Sequence, residues 1–395
     1  MVAKDRDCGQ CMFKVVDLFC GTGALSYGLA LGDERFHVVA GIDHDADACE
    51  TARANHPNAK ILCRSIRDIS AAEFASEAEL DGVDVIVGGP PCQGFSSLRP
   101  NRNSNKDDHR NYLYLDFVEY VEFFRPKVFL MENVVGLIGE TKGDLLNDIM
   151  RDFGNINFDV DFRILNAAHY GVPQKRERLI MVGVNKDIIA SPSLNFPDPT
   201  HFFKGRVIGT QRKDKYITNA DHGCRAITVM EAISDLPELS SGQSSDLYAG
   251  PPGNAYQEVM RARGSSRVSL HQAASHSKKM LDIIKVSGTS KSALPKGLVS
   301  SGFSSCYSRM EADQPATTIT VKFTSPASSK CIHPHQHRAI TPREAARLQS
   351  FPDCFQFRGS KTAIASQLGN AVPPLLSKAI AEMLVKNLEA GIDAR

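Results

Sequence analysis

The chain has 395 residues, which is long enough to bury a large core and to form two domains. Its 42% apolar and 23% charged residues are typical of a soluble globular protein, and no apolar run approaches the ~20 residues that span a bilayer. The first eleven residues contain no signal-peptide core, and the ten cysteines follow no disulfide framework. We therefore expect a cytoplasmic protein without membrane contact.

The formal net charge of +1 conceals an uneven distribution. Residues 185–338 contain 19 Lys and Arg against 12 Asp and Glu, a balance of +7, together with seven of the 12 histidines. Such segregation indicates a segment that faces a polyanion. Because the excess is spread over a long stretch, an ordinary solvated surface of mixed charge is the alternative.

The first predicted strand, residues 14–19, runs into a glycine-rich turn and then into an apolar helix. The turn is Cys20-Gly21-Thr22-Gly23-Ala24. Glycines between a strand and a helix let a ligand approach the backbone closely. A second strand, residues 38–42, ends in Asp43, where nucleotide-binding sheets grip ribose hydroxyls. The alternative for Asp43 is an N-cap of the helix that starts near Ala46.

A third strand covers residues 59–62, and a fourth, residues 83–87, is a β-branched run typical of a buried parallel strand. It leads into Gly88-Gly89-Pro90-Pro91-Cys92-Gln93-Gly94-Phe95-Ser96. Two glycines and two prolines force a sharp turn there. Cys92 is thus predicted at the carboxyl end of a strand, where open α/β sheets bind ligands and a thiol can point into a cleft. A turn cysteine without a function is the alternative.

A polar loop, residues 96–110, follows with four Arg and Lys, and loops of this length are usually functional lids or disordered. After a helix over residues 117–124, the buried strand 127–131 ends in Glu132. The carboxyl ends of parallel strands share one edge, so we expect Glu132 near Cys92, with a helix cap as the alternative. A further strand, residues 179–184, comes after Gln174-Lys175-Arg176-Glu177-Arg178.

Pro, Gly and Ser become frequent from about residue 191, and the weak periodicity there is typical of an irregular region. Regular patterning returns with a helix that has Thr341 as N-cap and Pro342 at its first position. We therefore predict an α/β fold in four parts: a catalytic domain (1–190), a second, smaller irregular domain (191–330), a hinge (331–364) and a C-terminal helix that completes the catalytic domain (365–395).

Six segments, taken in order, resemble the DNA (cytosine-5)-methyltransferases of bacterial restriction-modification systems. They are Asp17-Leu18-Phe19-Cys20-Gly21-Thr22-Gly23, Gly89-Pro90-Pro91-Cys92-Gln93-Gly94-Phe95-Ser96, Glu132-Asn133-Val134, Gln174-Lys175-Arg176-Glu177-Arg178, Arg343-Glu344-Ala345-Ala346-Arg347-Leu348-Gln349-Ser350-Phe351-Pro352 and Gly369-Asn370-Ala371-Val372-Pro373. The resemblance implies a Rossmann-like, S-adenosylmethionine-dependent methyltransferase sheet with a smaller DNA-recognition domain. It further implies methyl transfer to C5 of a flipped-out cytosine in a specific double-stranded DNA sequence, through a covalent adduct.

The resemblance assigns catalytic roles to four residues. Cys92 is then the nucleophile that adds to C6 of the cytosine, and Glu132 holds the ring at N3 and the exocyclic amine. Arg178 contacts O2 of the base. Arg176 helps to position that site and a nearby phosphate.

The resemblance also implies a pocket for S-adenosylmethionine, with S-adenosylhomocysteine as product and no metal. Asp43 would bind the ribose, and Asp68 would lie near the adenine. The full set of implied cofactor residues is Phe19, Gly21, Thr22, Gly23, Asp43, His44, Asp68, Ile69, Gly89, Pro91, Leu113, Asn370 and Val372.

Double-stranded DNA is the implied partner. Residues 96–110 would close over it, and residues 191–330 would read its sequence. We expect a monomer in a bacterial or archaeal cytosol. A cognate restriction endonuclease that acts on the same site is a further partner that the resemblance allows.

Three positions depart from the family pattern. Ala24 stands where another glycine is common, which leaves the turn intact. His44 replaces a larger aromatic residue, which weakens the expectation of stacking on the adenine. Asn111 occupies a position where glycine can act as a hinge, and asparagine tolerates unusual backbone angles.

The chemistry itself requires such a set of groups. C5 of cytosine is a weak nucleophile until a nucleophile adds at C6, and a thiolate suits that addition. A stacked base is reachable only after it is flipped out of the duplex.

Three other classes of protein fit the sequence less well. A transfer RNA cytosine methyltransferase would carry a Cys-Phe-Thr tripeptide, but here Cys354-Phe355 is followed by Gln356. A non-catalytic DNA-binding relative would be expected to lack the predicted nucleophile or the glutamate after the fifth strand. An oxidoreductase leaves the Pro-Pro-Cys turn and the arginine pair unexplained.

Overall fold

A computed structural model of the chain describes residues 12–91, 113–139, 144–203, 223–264, 266–299 and 304–393. The predicted nucleophile Cys92 and the polar loop of residues 96–110 lie outside the described residues. Asn111 lies outside them as well. The other predicted site residues are all described.

Strands and helices alternate in the first half of the chain, and shorter elements follow. The strands are β1 (Phe13–Leu18), β2 (Phe36–Asp43), β3 (Lys60–Cys63), β4 (Val85–Gly88), β5 (Val128–Asn133), β6 (Phe158–Asn166), β7 (Gln174–Lys175), β8 (Glu177–Asn185), β9 (His201–Phe202), β10 (Cys224–Arg225) and β11 (Ala316–Thr317). The α-helices are α1 (Ala24–Gly32), α2 (Ala46–Asn55), α3 (Ala71–Glu77), α4 (Leu113–Phe124), α5 (Gly136–Gly139), α6 (Asp144–Asn155), α7 (Val229–Ile233), α8 (Ala255–Arg261), α9 (Lys278–Val286), α10 (Pro342–Leu348), α11 (Lys361–Asn370) and α12 (Pro374–Asp393).

Seven strands form one sheet in the order β3-β2-β1-β4-β5-β8-β6. The five strands from β1 to β5 run parallel, whereas β8 is antiparallel to both β5 and β6. The strand order reverses between β1 and β4. Such a switch point opens a crevice at the carboxyl ends of the strands, where ligands bind. The turns that follow β1 and β4 both lie at this crevice.

Successive side chains along each strand point to opposite faces of the sheet and pack into two separate hydrophobic cores. On β1, Val16 and Leu18 pack with α3, α4 and α6 on one face, whereas Phe13 and Val15 pack with α1 and α12 on the other. The same alternation directs the buried Asp17 toward the face that α1 covers. The last helix of the chain therefore completes the layer that the first helix begins.

A third core joins the irregular region to the C-terminal part of the chain. Helices α7, α8, α10 and α11 contribute to it, together with β11 and three phenylalanines that follow α10. Helix α10 begins as predicted, with Thr341 as N-cap and Pro342 at its first position. The segment predicted as a hinge, residues 331–364, supplies much of this core.

The strands predicted from the sequence are present, with shifted ends. The first strand ends before Phe19, because this residue has a φ of 55°, a left-handed conformation that ends the ladder. The strand predicted over residues 127–131 extends to Asn133, so Glu132 lies within β5. Within the described residues, no helix is long and apolar enough to cross a membrane.

Candidate active site

Glu132 and Arg178 form an ion pair at the carboxyl edge of the sheet. The antiparallel pairing of β5 with β8 places Glu132 opposite Ile180, and Arg178 lies two residues earlier on the same face. Arg178 Nε lies 2.5 Å from Glu132 Oε1, and each side chain is 12% exposed. Burial lowers the pKa of the Arg178 guanidinium, and the adjacent carboxylate opposes this effect. The pair is thus nearly enclosed and directed at the crevice.

The turn that precedes Cys92 lies against this ion pair. A Cβ atom on Gly89 would lie 3.0 Å from Glu132 Oε2, so glycine permits a close approach of the two strand ends. The buried Asn133 side chain donates from Nδ2 to the Pro90 carbonyl over 3.1 Å. The chain therefore leaves β4 beside the Glu132 carboxylate, and Pro91 is the last residue described on that side.

Arg176 is fully buried at the strand edge beside Arg178. Its guanidinium donates to the Ile319 carbonyl over 3.1 Å and to the Gly369 carbonyl over 2.9 Å. Burial and the neighbouring Arg178 lower its pKa well below the ordinary value. Arg176 thus ties the end of the irregular region to the end of α11. A role in positioning the site and a nearby phosphate stays a prediction, and it would act through the backbone segments that Arg176 holds.

Gln174 lies in the same motif, and its role is visible only in the structure. The side chain is fully buried, its Oε1 accepts the Ile319 N–H over 2.8 Å, and its Nε2 donates to the Leu348 carbonyl over 3.2 Å. These partners lie 145 and 174 positions away in sequence. No local pattern distinguishes such a glutamine from one on the surface.

The turn after β1 has an unusual backbone. Phe19, Gly21 and Gly23 have φ angles of 55°, 51° and 72°. Glycine adopts this region freely, whereas Phe19 is held there at some cost by its surroundings. A Cβ atom on Gly21 would meet nothing within 4 Å, and no side chain caps the start of α1. The turn therefore offers open space and backbone N–H donors to a polar ligand.

Asp43 braces this turn from the end of β2. Its Oδ2 accepts the Gly21 N–H over 2.8 Å, and its Oδ1 accepts the Asp45 N–H over 2.9 Å. The largely exposed His44 places Nδ1 3.3 Å from Oδ1. Burial acts to raise the pKa of Asp43, but these hydrogen bonds outweigh it and hold the pKa below its ordinary value. The N-cap of α2 is Asp45, so Asp43 is free of that alternative role.

The other predicted cofactor residues surround the turn in different ways. One apolar cluster contains Phe19, Ile69 and Leu113. Val372 packs on the opposite face of the sheet, Thr22 is buried, and Asp68 and Asn370 are exposed. A polar turn with a carboxylate on one side and an apolar wall on the other fits a nucleoside with an amino-acid tail. Across the described ranges, no group of three or more His, Cys, Asp or Glu side chains could hold a metal ion.

A mostly parallel sheet, a glycine turn after β1, a carboxylate after β2 and polar groups at the switch point define a Rossmann-like, S-adenosylmethionine-dependent methyltransferase fold. The chain belongs to the C-5 cytosine-specific DNA methylase family, whose sequence model matches residues 13–386. It is therefore a DNA (cytosine-5)-methyltransferase, as the sequence predicted.

Relatives of known name agree with this assignment. The Type II methyltransferase M.DdeI of Desulfomicrobium norvegicum is 34% identical over 396 residues, covering 94% of this chain and 88% of that protein. The Type II methyltransferase M1.HphI of Haemophilus parahaemolyticus is 34% identical over 376 residues, covering 94% and 86%. Among solved structures, a prophage-encoded DNA modification methyltransferase of E. coli has a TM-score of 0.73 at 25% identity, covering 95% of this chain and 99% of that one.

Proposed function

We propose that the protein transfers a methyl group from S-adenosylmethionine to C5 of a cytosine that is flipped out of a specific double-stranded DNA sequence. The observation that carries the proposal is the Glu132–Arg178 pair at the carboxyl edge, beside Gly89 and the turn that leads to Cys92. A protonated carboxyl group next to a guanidinium matches the edge of cytosine, because Glu132 can then donate to N3 and accept from the amine while Arg178 donates to O2.

Methylation at C5 requires that the cytosine ring first be activated. The Cys92 thiolate forms a bond to C6, and the electrons of the C5–C6 double bond are displaced toward C5 and the N3 side of the ring. Glu132, once it has taken up a proton from water, supplies that proton at N3, where a general acid stabilises the charge. Once C5 carries the methyl group, its proton passes to water and the N3 proton returns to Glu132, so the C5–C6 double bond re-forms and expels the thiolate, which restores Cys92.

The glycine turn would hold the cofactor, which supplies the methyl group as an electrophile. The open space over Gly21 and the free N–H groups at the start of α1 suit the amino-acid tail. The Asp43 carboxylate retains lone pairs for a ribose hydroxyl after it has accepted its two backbone N–H groups. Phe19 and Leu113 provide the apolar wall for the adenine.

The target cytosine must leave the duplex, because its C6 position is unreachable within the stack.

The irregular region after residue 191 would select the DNA sequence. Its exposed basic side chains include Lys278, Lys279 and Lys296. Contacts of this kind to phosphates give affinity, and base contacts add specificity. Methylation of this kind would protect the cell's own DNA from a restriction endonuclease that cuts the same sequence, and such an endonuclease would be the functional partner of the protein.

Bisulfite sequencing of DNA from cells that express the protein tests the proposal. We expect protected cytosines within one short recurring sequence. Cells that express Cys92→Ala at the same level are the matched control and should show none. A folded wild-type protein that protects no cytosine, or equal protection by Cys92→Ala, would overturn the proposed function.

A further inference from the structure

Three buried polar side chains lie beneath the glycine turn and take no part in the proposed chemistry. They are Asp17 of β1, Ser26 of α1 and His56 after α2, with exposed fractions of 2%, 1% and 8%. Within the described part of the chain, no Lys or Arg forms an ion pair with Asp17. A buried carboxyl group without a counter-charge needs another form of stabilisation.

The Ser26 hydroxyl makes two contacts that its single hydrogen cannot satisfy. Its Oγ lies 2.5 Å from Asp17 Oδ2 and 3.1 Å from the Gly23 carbonyl oxygen. Both oxygens are acceptors when Asp17 is ionised, and a hydroxyl group donates one hydrogen only. Both contacts become hydrogen bonds when Asp17 is protonated, because its O–H group then donates to Ser26 Oγ and the Ser26 hydroxyl donates to the Gly23 carbonyl.

His56 supports the same carbonyl from the other side. Its Nε2 lies 3.0 Å from the Gly23 oxygen. The ring also fills the space of a Gly23 Cβ atom, which would lie 2.6 Å from two ring atoms. Gly23 is the residue that opens α1. The Tyr27 N–H donates to the same oxygen over 2.9 Å, so Ser26 and His56 add two buried side-chain donors to the carbonyl group on which the shape of the turn depends.

We propose that Asp17 is protonated in the folded protein and that Asp17, Ser26 and His56 together position the glycine turn for the cofactor. This inference rests on the proposed function, because it concerns the cofactor side of the same site. The three residues are positioning residues, since none of them is proposed to touch the cofactor. The class of ligand that depends on them is a nucleoside with an amino-acid tail.

The charged and titratable groups around Asp17 favour this state. Burial and the charge of Asp43 raise the pKa of Asp17 to about 8, against the hydrogen bonds from Ser26. Burial keeps the Cys20 thiol and the His56 imidazole neutral, since it raises the pKa of the first and lowers that of the second. Above about pH 8 the Ser26 hydrogen turns to the Asp17 carboxylate, and the Gly23 carbonyl loses one of its two side-chain donors.

Calorimetric titration with S-adenosylhomocysteine from pH 6.5 to 9.5 tests the proposal. As the pH rises through 8, the affinity of the wild type should fall roughly threefold to tenfold more than the affinity of Asp17→Asn falls. This difference corresponds to the loss of about one hydrogen bond. Asparagine donates to Ser26 at every pH. The amino group of the ligand titrates in both proteins, so the difference between the two profiles isolates Asp17.

Ser26→Ala is the second variant, because it breaks the relay without a charge change. At pH 7 it should bind as weakly as the wild type does at pH 9, and its affinity should show no further fall across pH 8 beyond that of Asp17→Asn. Equal profiles for the wild type and Asp17→Asn, or a Ser26→Ala protein with wild-type affinity at pH 7, would overturn the inference. A wild type that binds no S-adenosylhomocysteine at any pH would instead overturn the proposed function.

Discussion

At the scale of single residues, strand geometry determines the position of Glu132. The residue lies inside β5, and the next helix, α5, begins only at Gly136, so Glu132 does not cap a helix. Its carboxylate instead meets Arg178 and the backbone of Gly89. This environment supports a role toward a ligand at the crevice rather than a role in starting a helix.

Glu132→Gln should lower the rate of methyl transfer by about 10²–10⁴-fold, because glutamine keeps the shape of the side chain but cannot supply a proton at N3. Affinity for S-adenosylhomocysteine should stay unchanged, since the glycine turn is untouched. Single-turnover methylation measures the first effect and calorimetry the second.

The matched control for this variant is Glu122→Gln, which changes an exposed glutamate of α4. It should turn over at the wild-type rate. A Glu132→Gln protein that also turns over at that rate would show that the carboxyl group does not act at N3.

At the scale of elements, α10 is a short helix with buried charges on several sides. Arg347 is fully buried and donates to two carboxylates, Asp353 over 2.6 Å and Asp235 over 3.1 and 3.2 Å. Asp235 follows α7 in the irregular region, and Asp353 follows α10. A buried ionic contact therefore connects the irregular region to the C-terminal part of the chain.

Arg347→Ala should lower the free energy of unfolding by about 3–5 kcal/mol, because it leaves buried carboxylates without their main partner. Arg267→Ala is the control, since the Arg267–Asp246 pair is 70% and 58% exposed and such pairs contribute at most about 1 kcal/mol. Urea unfolding measures both. Similar losses for the two variants would contradict a special role of the buried contact.

The segment before α10 makes stability sensitive to acid through His333. Its Nδ1 accepts the N–H groups of His335 and Gln336, and its Nε2 lies 3.8 Å from the buried Glu344. Burial lowers its pKa from 6.5 to about 4, although the charge of Glu344 opposes this. Below pH 6.5 the unfolded chain binds a proton that the folded chain excludes.

The contribution of His333 to the free energy of unfolding should therefore fall as the pH drops from 6.5 to about 4, and level off below that. His333→Gln should remove this part of the pH dependence. His335→Gln, at an exposed histidine two residues away, should keep it. Urea titrations at pH 7.5, 6 and 5 give the free energy of unfolding of the three proteins. If this free energy depends on pH in the same way in all three, His333 is not the source of the acid sensitivity.

Local patterns in the sequence predicted the elements, whereas the contacts between distant elements required the structure. The β-branched runs gave the strands, and the Thr341-Pro342 start of α10 is confirmed because a cap and a proline act within one turn. The pairing of Glu132 with Arg178 depends on β8 running antiparallel to β5, which no local pattern reports. The buried Gln174 and the Asp17 relay depend on partners from other elements in the same way.

At the scale of the whole molecule, the charge balance of +7 over residues 185–338 is almost unchanged by the ion pairs that its basic side chains form. At least six of its basic side chains form ion pairs within the chain: Arg225, Arg261, Arg267, Lys285, Lys330 and Arg338. Arg338 is fully buried against Glu344. Five of the six pairs take their carboxylate from the same segment and leave its balance unchanged, so only Arg338, whose partner Glu344 lies beyond residue 338, draws on the excess.

Covalent trapping on DNA that carries 5-fluorocytosine tests the central claim most directly. Fluorine at C5 blocks the proton loss that releases the thiolate, so the wild type with cofactor should form a complex with DNA that survives denaturation. Cys92→Ser should form none, while Cys224→Ser, at an exposed cysteine of the irregular region, should trap like the wild type. A Cys92→Ser protein that still traps the DNA, or a wild type that methylates cytosine without ever being trapped, would contradict nucleophilic attack by Cys92.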